Sequence, residues 1–424
     1  MTVREAPRTR SRPGEAEFIA LIALSIALAA LGIDIMLPAF PAIREELGLP
    51  PDSTAVGGLV TAYFLGLAIG QLVHGPLSDR FGRRPTLYTG FALYGVGAVL
   101  AVLAPSLSLL LAARFVWGLG AAGPRVVTVA VVRDTYEGDR MSQAMSFVMA
   151  VFLIVPVLAP TIGATVVAVA GWRWIFGVCV LAAALMALWA LRLPETLAPE
   201  HRLELRFGRV LAAARYVVSE RRTVGYTVAL TALFGAFLSY IATSELLIGD
   251  VYGRPAAFPA IFGGLALVMG VASVANTRLL RRVPTGPLAH GVLLAYLGAA
   301  ALLVLLALAG GGRPPLPVFL AGVATMLAAH ALLIPNLTSL AMGPMGSVAG
   351  TASSLVGASQ IAGGALLGAA LDRLYDGTIV PLAFGFLGLG GVAFVAVLVA
   401  ERGQLFAAPA APDPTPLLPP TPEA

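Results

Sequence analysis

Charged side chains lie within long apolar runs of this sequence, where a charge is costly and often functional. Asp34 lies in one such run, and Arg114 and Arg125 lie together in a later one. A charge at the centre of a membrane helix costs about 2.5–3.5 kcal/mol on insertion scales, and such residues often mark ion or substrate pathways. Because burial disfavours the ionised carboxylate, Asp34 could take up and release a proton. The alternative is an aspartate at a helix end that reaches the outer water.

The positions of these three residues predict that they act together. At about 1.5 Å per residue, Asp34 lies about 25 Å from the inner edge of its run, and Arg114 lies about 12 Å from the outer end of its own. The two are therefore at similar depth, and we expect Asp34 to be the anionic partner of Arg114. Arg125 follows eleven residues after Arg114, which places it within about 20° on the same helix face.

That helix face also carries the small residues Gly118, Ala121 and Ala122. Small side chains beside two cations leave room around them, so we expect this stripe to form an open, cationic wall of a cavity. An alternative remains for one of its members. Arg125 could instead belong to a gate on the cytoplasmic side together with Arg133.

Other polar residues within apolar runs are weaker candidates for binding a substrate. They are Tyr63, Gln71, Tyr240, Asn336 and Gln360. Such residues also join helices to one another, which is the competing interpretation. His330 and His74 are expected to be structural. Glu245 is either a second cavity carboxylate or, as we favour, an acid at the outer rim beside Asp250.

These residues are predicted to lie on membrane-spanning helices. Of the 424 residues 58% are hydrophobic and 12% charged, and the mean hydropathy is +0.89, whereas soluble domains carry about 25% charged residues. A helix needs about 20 apolar residues to cross the hydrocarbon core. Twelve windows of this kind, numbered 1 to 12, fall at about 18–40, 54–76, 85–104, 107–132, 142–170, 172–192, 223–247, 257–280, 287–310, 315–340, 347–371 and 378–400. The predicted fold is all-α, with two bundles of six transmembrane helices.

The arginines predict the orientation in the membrane. With the N-terminus inside, 20 arginines fall in cytoplasmic segments and five in outer ones, which is a strong positive-inside signal. Both termini are then cytoplasmic. The predicted organisation is a cytoplasmic N-terminal segment 1–17, a six-helix bundle 18–192, a charged cytoplasmic loop 193–222, a second six-helix bundle 223–401 and a Pro-rich, disordered cytoplasmic tail 402–424.

The short loop at 75–87 joins helices 2 and 3 and concentrates charge and glycine. Glycines permit close contacts and a tight turn, while the acid and the arginines can bind helix ends and carboxylates. We interpret the loop as a cytoplasmic gate, although any cytoplasmic loop tends to carry arginine. The residues of this predicted gate are Gly75, Asp79, Arg80, Gly82, Arg83 and Arg84.

Helix 5 carries Pro156 and Pro160, followed by Gly163. Two prolines four residues apart remove backbone hydrogen bonds and are expected to kink the helix. Small residues beside them permit tight helix contacts. We therefore expect this segment to shape helix 5 for movement against its neighbours.

These motifs resemble a known family. The loop at 75–87 matches the pattern G-x-L-[SA]-D-R-x-G-[RK]-[RK] found between helices 2 and 3 of the major facilitator superfamily. Helix 5 resembles the proline-glycine signature of its proton-coupled exporters, and the version here is most similar to the Bcr/CflA group of drug exporters. Segments 34–39, 132–134, 335–336 and 349–357 resemble the same group. Trp117 departs from it, because a glutamine is usual there, and a bulky indole could narrow the cavity or add a stacking surface.

The resemblance implies a proton-coupled multidrug efflux transporter, a drug:proton antiporter of the bacterial cytoplasmic membrane that works by alternating access as a monomer. Its partners would be protons, membrane lipid and a small amphipathic drug, with no nucleic acid, metal or cofactor. The chain has no lysine, so it lacks a phosphate-binding loop of the G-x-x-x-x-G-K-[ST] type, and we expect no enzyme activity and a proton gradient as energy source. The alternative functions are transport of an endogenous metabolite, such as a sugar, an amino-acid derivative or a biosynthetic product, and a sensor that has lost transport.

Overall fold

The computed structural model describes residues 14–198, 200, 202 and 207–406. Twelve helices in this part of the chain are long and apolar enough to cross a membrane. Helices 1 to 12 span Glu15–Glu46, Thr54–Phe81, Arg83–Leu103, Leu107–Thr135, Gly138–Ala170, Arg173–Arg192, Arg221–Val251, Pro255–Leu279, Thr285–Ala309, Leu316–Gly346, Ala349–Asp372 and Val380–Ala400. The prediction of a twelve-helix membrane protein is confirmed. Most of the Pro-rich tail and the first 13 residues lie outside the described part.

Helix 1 is interrupted where its functional candidate lies. The α-helix runs from Glu15 to Asp34 and gives way to a 3-10 turn at Leu37–Ala39, and a second short helix follows at Phe40–Glu46. Pro38 stands in the turn, where a proline lacks the N–H needed to continue the α-helix. Asp34 is therefore the last residue of an α-helical segment, close to carbonyl groups that have no intrahelical donor.

The helices form two bundles. In the first half, helix 4 packs along helices 2 and 3, and helix 1 packs along helix 5; in the second half, helix 7 packs along helices 11 and 12, and helix 10 along helices 8 and 9. Helix 2 meets helix 11, and helix 5 meets helix 8, across the interface between the halves. Glycine permits the closest approach: a Cβ atom at Gly66 would overlap the carbonyl oxygen of Phe115, and one at Gly118 that of Tyr63.

The sequence suggested that the connection between the halves is a loop, but part of this connection is helical. A helix at Phe207–Ser219, here called the linker helix, lies within it, and helix 7 begins immediately afterwards. Val217 of the linker helix packs with Met345 and Ala352 at the adjoining ends of helices 10 and 11. The linker helix is too short and too amphipathic to resemble a span, so a search for long apolar runs misses it.

We call the side where helix 1 begins and helix 12 ends the terminal side, and the opposite one the far side. Glu17 of helix 1 pairs with Arg192 of helix 6 at 3.1 Å, and Arg222 of helix 7 pairs with Glu401 just after helix 12 at 2.8 Å. These contacts confirm that the start and end of each half lie on one side.

The far side of the bundle is closed, whereas the terminal side is more open, although Gly75 of helix 2 still lies near Ser354 of helix 11 there. Residues 238–248 of helix 7 and most of 25–40 of helix 1 are buried, so the far-side halves of both helices are enclosed. Helix 5 behaves differently at its terminal end, since only Ala144 and Val148 are buried among residues 138–152. Lipid can cover one face of such a helix, and the exposure of the other faces indicates space between the halves.

Candidate transport site

Arg114 is held by backbone and aromatic groups rather than by a carboxylate. Its fully buried guanidinium donates from Nη1 to the carbonyl of Gly32 at 2.7 Å and from Nε to that of Leu59 at 3.3 Å. The same group lies 4.4 Å from the ring centre of Tyr63 and 4.7 Å from that of Trp117, a favourable arrangement for a cation. The predicted ion pair of Arg114 with Asp34 is therefore wrong, although the predicted similarity in depth is correct.

Arg114 is one of three side chains that bind a single stretch of helix 1. The hydroxyl of Tyr94 donates to the carbonyl of Leu28 at 2.9 Å, and that of Tyr63 donates to the carbonyl of Ala29 at 2.7 Å. These donors come from helices 3 and 2, and Arg114 comes from helix 4. The hydroxyl proton of Tyr63 is thus used inside the first half, which argues against its predicted role in binding substrate.

Asp34, two residues beyond this stretch, is 5% exposed. Among the described residues its carboxyl group has no hydrogen-bond donor and no cation as partner. Tyr240 of helix 7 lies within electrostatic range of Asp34, and its buried hydroxyl also lacks a partner within the described chain. The Tyr240 ring stacks on Phe262 at 6.0 Å between centres. Two unpaired polar groups, one from each half, therefore lie near each other between the bundles.

The helix 4 stripe is packed in one part and accessible in another. Gly118, Ala121 and Ala122 are buried against neighbouring helices, so the prediction of an open wall around Arg114 is wrong. The small residues serve close helix packing instead. Arg125 differs, because its side chain is partly accessible and has no hydrogen bond or ion pair with any described residue.

Trp117 lies in the core of the first half and not beside a cavity. It is 0% exposed, and its indole meets the rings of Tyr63, Tyr94 and Phe176 edge to face, with centres 5.2–6.4 Å apart. Its expected effect on the width of the cavity is therefore wrong. The sequence alone could not show which way the indole points around helix 4.

Glu245 lies on the far side, as expected of a rim residue, but it is buried and paired across the two halves. Its Oε2 accepts a hydrogen bond from Nη2 of Arg44 at 2.8 Å, and the two side chains are 7% and 3% exposed. Arg44 also donates to the carbonyl of Ser53 at 2.9 Å. In the sequence Arg44 is simply one of the outer arginines, and nothing there points to its partner, 201 residues away.

Several polar candidates are engaged within the second half or at its interface. Asn336 donates to the side chain of Asn276 at 2.9 Å, which joins helices 10 and 8 and supports the structural alternative. His330 stacks on Phe237, with ring centres 4.6 Å apart. Gln360 is half-buried with no hydrogen bond to a described residue, so it stays a predicted substrate contact.

Two further polar residues lie along helix 2. The side-chain amide of Gln71 packs closely on Gly357 of helix 11. A Cβ atom at position 357 would overlap this amide. His74 is buried, and its Nδ1 is 2.9 Å from the carbonyl oxygen of Gly70 one turn earlier. The first contact belongs to the interface between the halves, and the second is the structural role expected of His74.

The predicted loop at 75–87 is helical in the structure, because helix 2 continues to Phe81, helix 3 begins at Arg83, and only Gly82 lies between them. Its charged residues form a network with helix 4 and with the segment that follows helix 6. Nε of Arg83 donates to Asp134 at 2.7 Å, and its Nη1 donates to Asp79 at 2.6 Å. The carboxylate of Glu195 accepts from the backbone N–H groups of Arg83 and Arg84 at 2.8 and 3.1 Å. Neither Glu195 nor Asp134 was among the predicted gate residues, because acids so distant along the chain carry no local signal.

The remaining gate residues have simpler environments. Gly82 has a φ of 106°, a conformation that favours glycine, and Gly75 lies near Ser354 of helix 11. Arg80 lies over the ring of Phe81 at 5.3 Å. Within the described chain, none of the gate arginines pairs with the second half. The latch between halves stays a prediction for a state in which the terminal side is closed.

The proline segment of helix 5 contacts both halves. The helix continues from Gly138 to Ala170 through Pro156 and Pro160. A Cβ atom at Gly163 would overlap the carbonyl oxygen of Ile35, and one at Gly263 of helix 8 would lie 2.8 Å from the carbonyl oxygen of Val157. Close packing on helix 1, next to Asp34, is thus the structural role of Gly163.

Comparison with known proteins agrees with this architecture. The family model described as Major Facilitator Superfamily matches residues 22–368. The bicyclomycin resistance protein homolog of Haemophilus influenzae is 29% identical, with 87% of this chain and 92% of the relative covered. The uncharacterized MFS-type transporter YdgK of Bacillus subtilis is 30% identical over 91% of this chain and 96% of its own. Multidrug resistance protein MdtL of Escherichia coli is 28% identical over 80% and 84%.

Among solved structures, a D-xylose-proton symporter superposes with a TM-score of 0.73 at 15% identity, and the match covers 91% of this chain and 97% of the other. This likeness shows the fold alone. The family model, by contrast, covers most of the sequence. The chain belongs to the major facilitator superfamily of transporters, as a multi-pass membrane protein whose relatives are of the Bcr/CflA type.

Proposed function

We propose that the protein is a proton-coupled exporter of small amphipathic molecules that works by alternating access. The observation that carries this proposal is Asp34, a buried carboxyl without a cation partner at the junction of the two halves. A carboxyl in such a place can exchange a proton when one side opens to water. The names of the relatives support drugs as substrates, and the metabolite alternative would show itself as failure of every drug tested.

The arginine distribution supports an orientation in which the terminal side faces the cytoplasm. The protein would lie in the bacterial cytoplasmic membrane with both termini inside, as a monomer driven by the proton gradient without a cofactor. The conformation open on the terminal side would then be the one that admits substrate from the cytoplasm. Arg114 would hold helix 1 in place beside the proton-binding carboxyl, because it binds the backbone at Gly32.

The test uses Asp34→Asn, which keeps the size of the side chain and removes its proton exchange. A substrate is first found by a growth screen in an efflux-deficient bacterial host challenged with amphenicols, bicyclic antibiotics, sulfonamides and cationic dyes. In proteoliposomes with an imposed pH gradient, we expect Asp34→Asn to lower gradient-driven transport at least tenfold while substrate binding remains.

Asp139→Asn is the matched control, because Asp139 is exposed in the first turn of helix 5. We expect its transport to stay within twofold of the unmodified protein. Full gradient-driven transport by Asp34→Asn would contradict proton coupling through this carboxyl. Equal losses in both variants would indicate a general defect in the reconstituted protein.

A further inference from the structure

Arg125 is a cation within the bundle that the contacts of the protein leave uncompensated. Arg114, on the same helix, is held by two backbone carbonyls and two aromatic faces. Arg125 has no hydrogen bond or ion pair with any described residue, and its side chain is partly accessible. The guanidinium cannot lose its proton at physiological pH. A permanent, partly accessible charge in this position is free to take an anionic partner from outside the chain.

On one face of helix 4 the accessible surface ends at Arg125. Residues spaced by four lie on one helix face, and from the terminal end this stripe is accessible at Arg133, Val129 and Arg125. The next residue of the stripe, Ala121, is 0% exposed. Arg125 therefore stands at the deepest accessible point of the helix face that a molecule entering from the terminal side would meet.

Helix 1 becomes inaccessible at the same level. The hydroxyl of Thr128 donates to the carbonyl of Ile22 at 3.2 Å, which fixes the two helices in register. Leu24 is 43% exposed, whereas Ser25 is 1% exposed and the residues that follow up to Ala30 are also buried. Helix 1 is thus buried from Ser25 onward, at about the level where the face of helix 4 that carries Arg125 also becomes buried.

No acidic residue described on the neighbouring elements neutralises this cation. Asp34 is ten residues beyond Leu24 along helix 1, about 15 Å farther toward the closed side. Glu17, at the terminal end of helix 1, is paired with Arg192. Asp139 lies in the first turn of helix 5, at the terminal edge. The other charged group on the same face is Arg133, which adds a second positive charge on the way in.

We propose that Arg125 binds the anionic group of the transported molecule, so that the substrates are organic anions or zwitterions with an apolar body. The planar guanidinium suits a carboxylate, sulfonate or phosphate group, which it can bind with two parallel hydrogen bonds. The half-buried rings of Phe234 and Phe237 on helix 7 offer an apolar surface at the interface of the halves, since Phe234 meets Phe64 of helix 2 at 5.6 Å between centres. This inference rests on the proposed transport function and specifies its substrate class.

The test uses three dansyl probes that share one fluorescent ring system. Dansylglycine carries a carboxylate, dansylamide is neutral and dansylcadaverine carries an ammonium group. Binding to purified protein is followed by dansyl fluorescence at pH 7. We expect the protein to bind dansylglycine at least tenfold more tightly than dansylamide, and dansylcadaverine most weakly.

In Arg125→Gln we expect the affinity for dansylglycine to fall at least tenfold, while that for dansylamide stays within twofold. Arg125→Lys, which keeps the charge but not the planar fork, should give an intermediate loss. Arg133→Gln is the matched control on the same helix face and should leave the order of the three probes unchanged. Unchanged binding of dansylamide shows that a variant is folded.

Absence of a preference for dansylglycine, or an equal loss for all three probes in Arg125→Gln, would overturn the inference. Transfer of the whole effect to Arg133→Gln would overturn it as well, because the anion would then bind at the terminal edge. Failure of the proposed function has a different signature. In that case dansylglycine would bind through Arg125, but a pH gradient would drive no transport in proteoliposomes.

Discussion

The two sides of the membrane bundle are held by contacts of different kinds. On the far side, the buried pair of Arg44 and Glu245 joins the first half to the second at 2.8 Å. On the terminal side, Arg83 pairs with Asp79 and Asp134 inside the first half, while Arg222 pairs with Glu401 inside the second. One buried ion pair on the far side therefore connects the halves, beside the pair of Arg173 and Glu46 within the first half. The described ion pairs on the terminal side connect helices within a half.

This difference indicates which movement breaks an ion pair. Opening the far side must separate Arg44 from Glu245, and removing one partner of a buried pair typically costs about 3–5 kcal/mol. Among the described residues, the gap on the terminal side separates no ion pair. Ion pairs within each half and one separable pair between the halves fit the alternating access proposed above. Three substitutions test whether these ion pairs act on different parts of the molecule.

The largest effect is expected from Glu245→Gln, which leaves the buried guanidinium of Arg44 without its charge partner. We expect the equilibrium to shift about 100-fold toward the state open on the far side, which corresponds to about 3 kcal/mol. The measurement is electron-spin distance between labels at Glu45→Cys and Arg254→Cys, two exposed positions on opposite halves, with the buried Cys179 replaced by serine.

The exchanged pair Arg44→Glu with Glu245→Arg is the control for this measurement. It restores opposite charges across the interface, so it should return the distance distribution to that of the unmodified protein. A distribution that does not change in Glu245→Gln would show that the pair does not hold the far side closed.

A smaller effect, and of another kind, is expected from Arg83→Gln. This change removes the cation shared by Asp79 and Asp134, which are 46% and 18% exposed and therefore partly solvated. We expect a loss of about 2 kcal/mol of stability, seen as a lower Tm by several degrees in a thermal unfolding assay. The far-side distance distribution should stay the same. A shift of that distribution without a lower Tm would contradict a role confined to one half.

The smallest effect is expected from Glu401→Gln on the terminal side of the second half. Glu401 accepts hydrogen bonds from Arg222 and from the hydroxyl of Tyr226, and the side chain of Arg222 is 31% exposed. Partly exposed pairs contribute about 1 kcal/mol or less. A thermal unfolding assay should detect only a small decrease in Tm, again without a change on the far side. A loss larger than that of Arg83→Gln would reverse this order of effects.

The features that depend on position along a helix could be predicted from the sequence. The twelve spans follow from the lengths of the apolar runs, and the similar depth of Asp34 and Arg114 follows from the rise per residue. The direction in which a side chain points around the helix axis could not be predicted. Neither could the binding of side chains to backbone carbonyl groups. Arg114 binds the carbonyl of Gly32 instead of the nearby carboxyl of Asp34, and Trp117 turns into the core.

The contacts between residues far apart in the chain could not be predicted from the sequence either. Arg44 and Glu245 are 201 residues apart, and each alone resembles an ordinary loop or helix-end charge. The same is true of Glu195, whose carboxylate binds the backbone N–H groups of Arg83 and Arg84 at the start of helix 3. Such pairings depend on how the two bundles pack together or on how the connection folds back. The spacing of apolar residues along the chain predicts neither arrangement.

The three hydrogen bonds to helix 1 between Leu28 and Gly32 restrict how this helix can move within the first half. Tyr63, Tyr94 and Arg114 come from three different helices of the first half, so this stretch of helix 1 cannot slide or rotate without breaking all three bonds. We expect Asp34 to travel as a fixed part of that half during the transport cycle. Its exposure to one aqueous compartment and then the other would arise because helix 7, which carries Tyr240, is displaced past it.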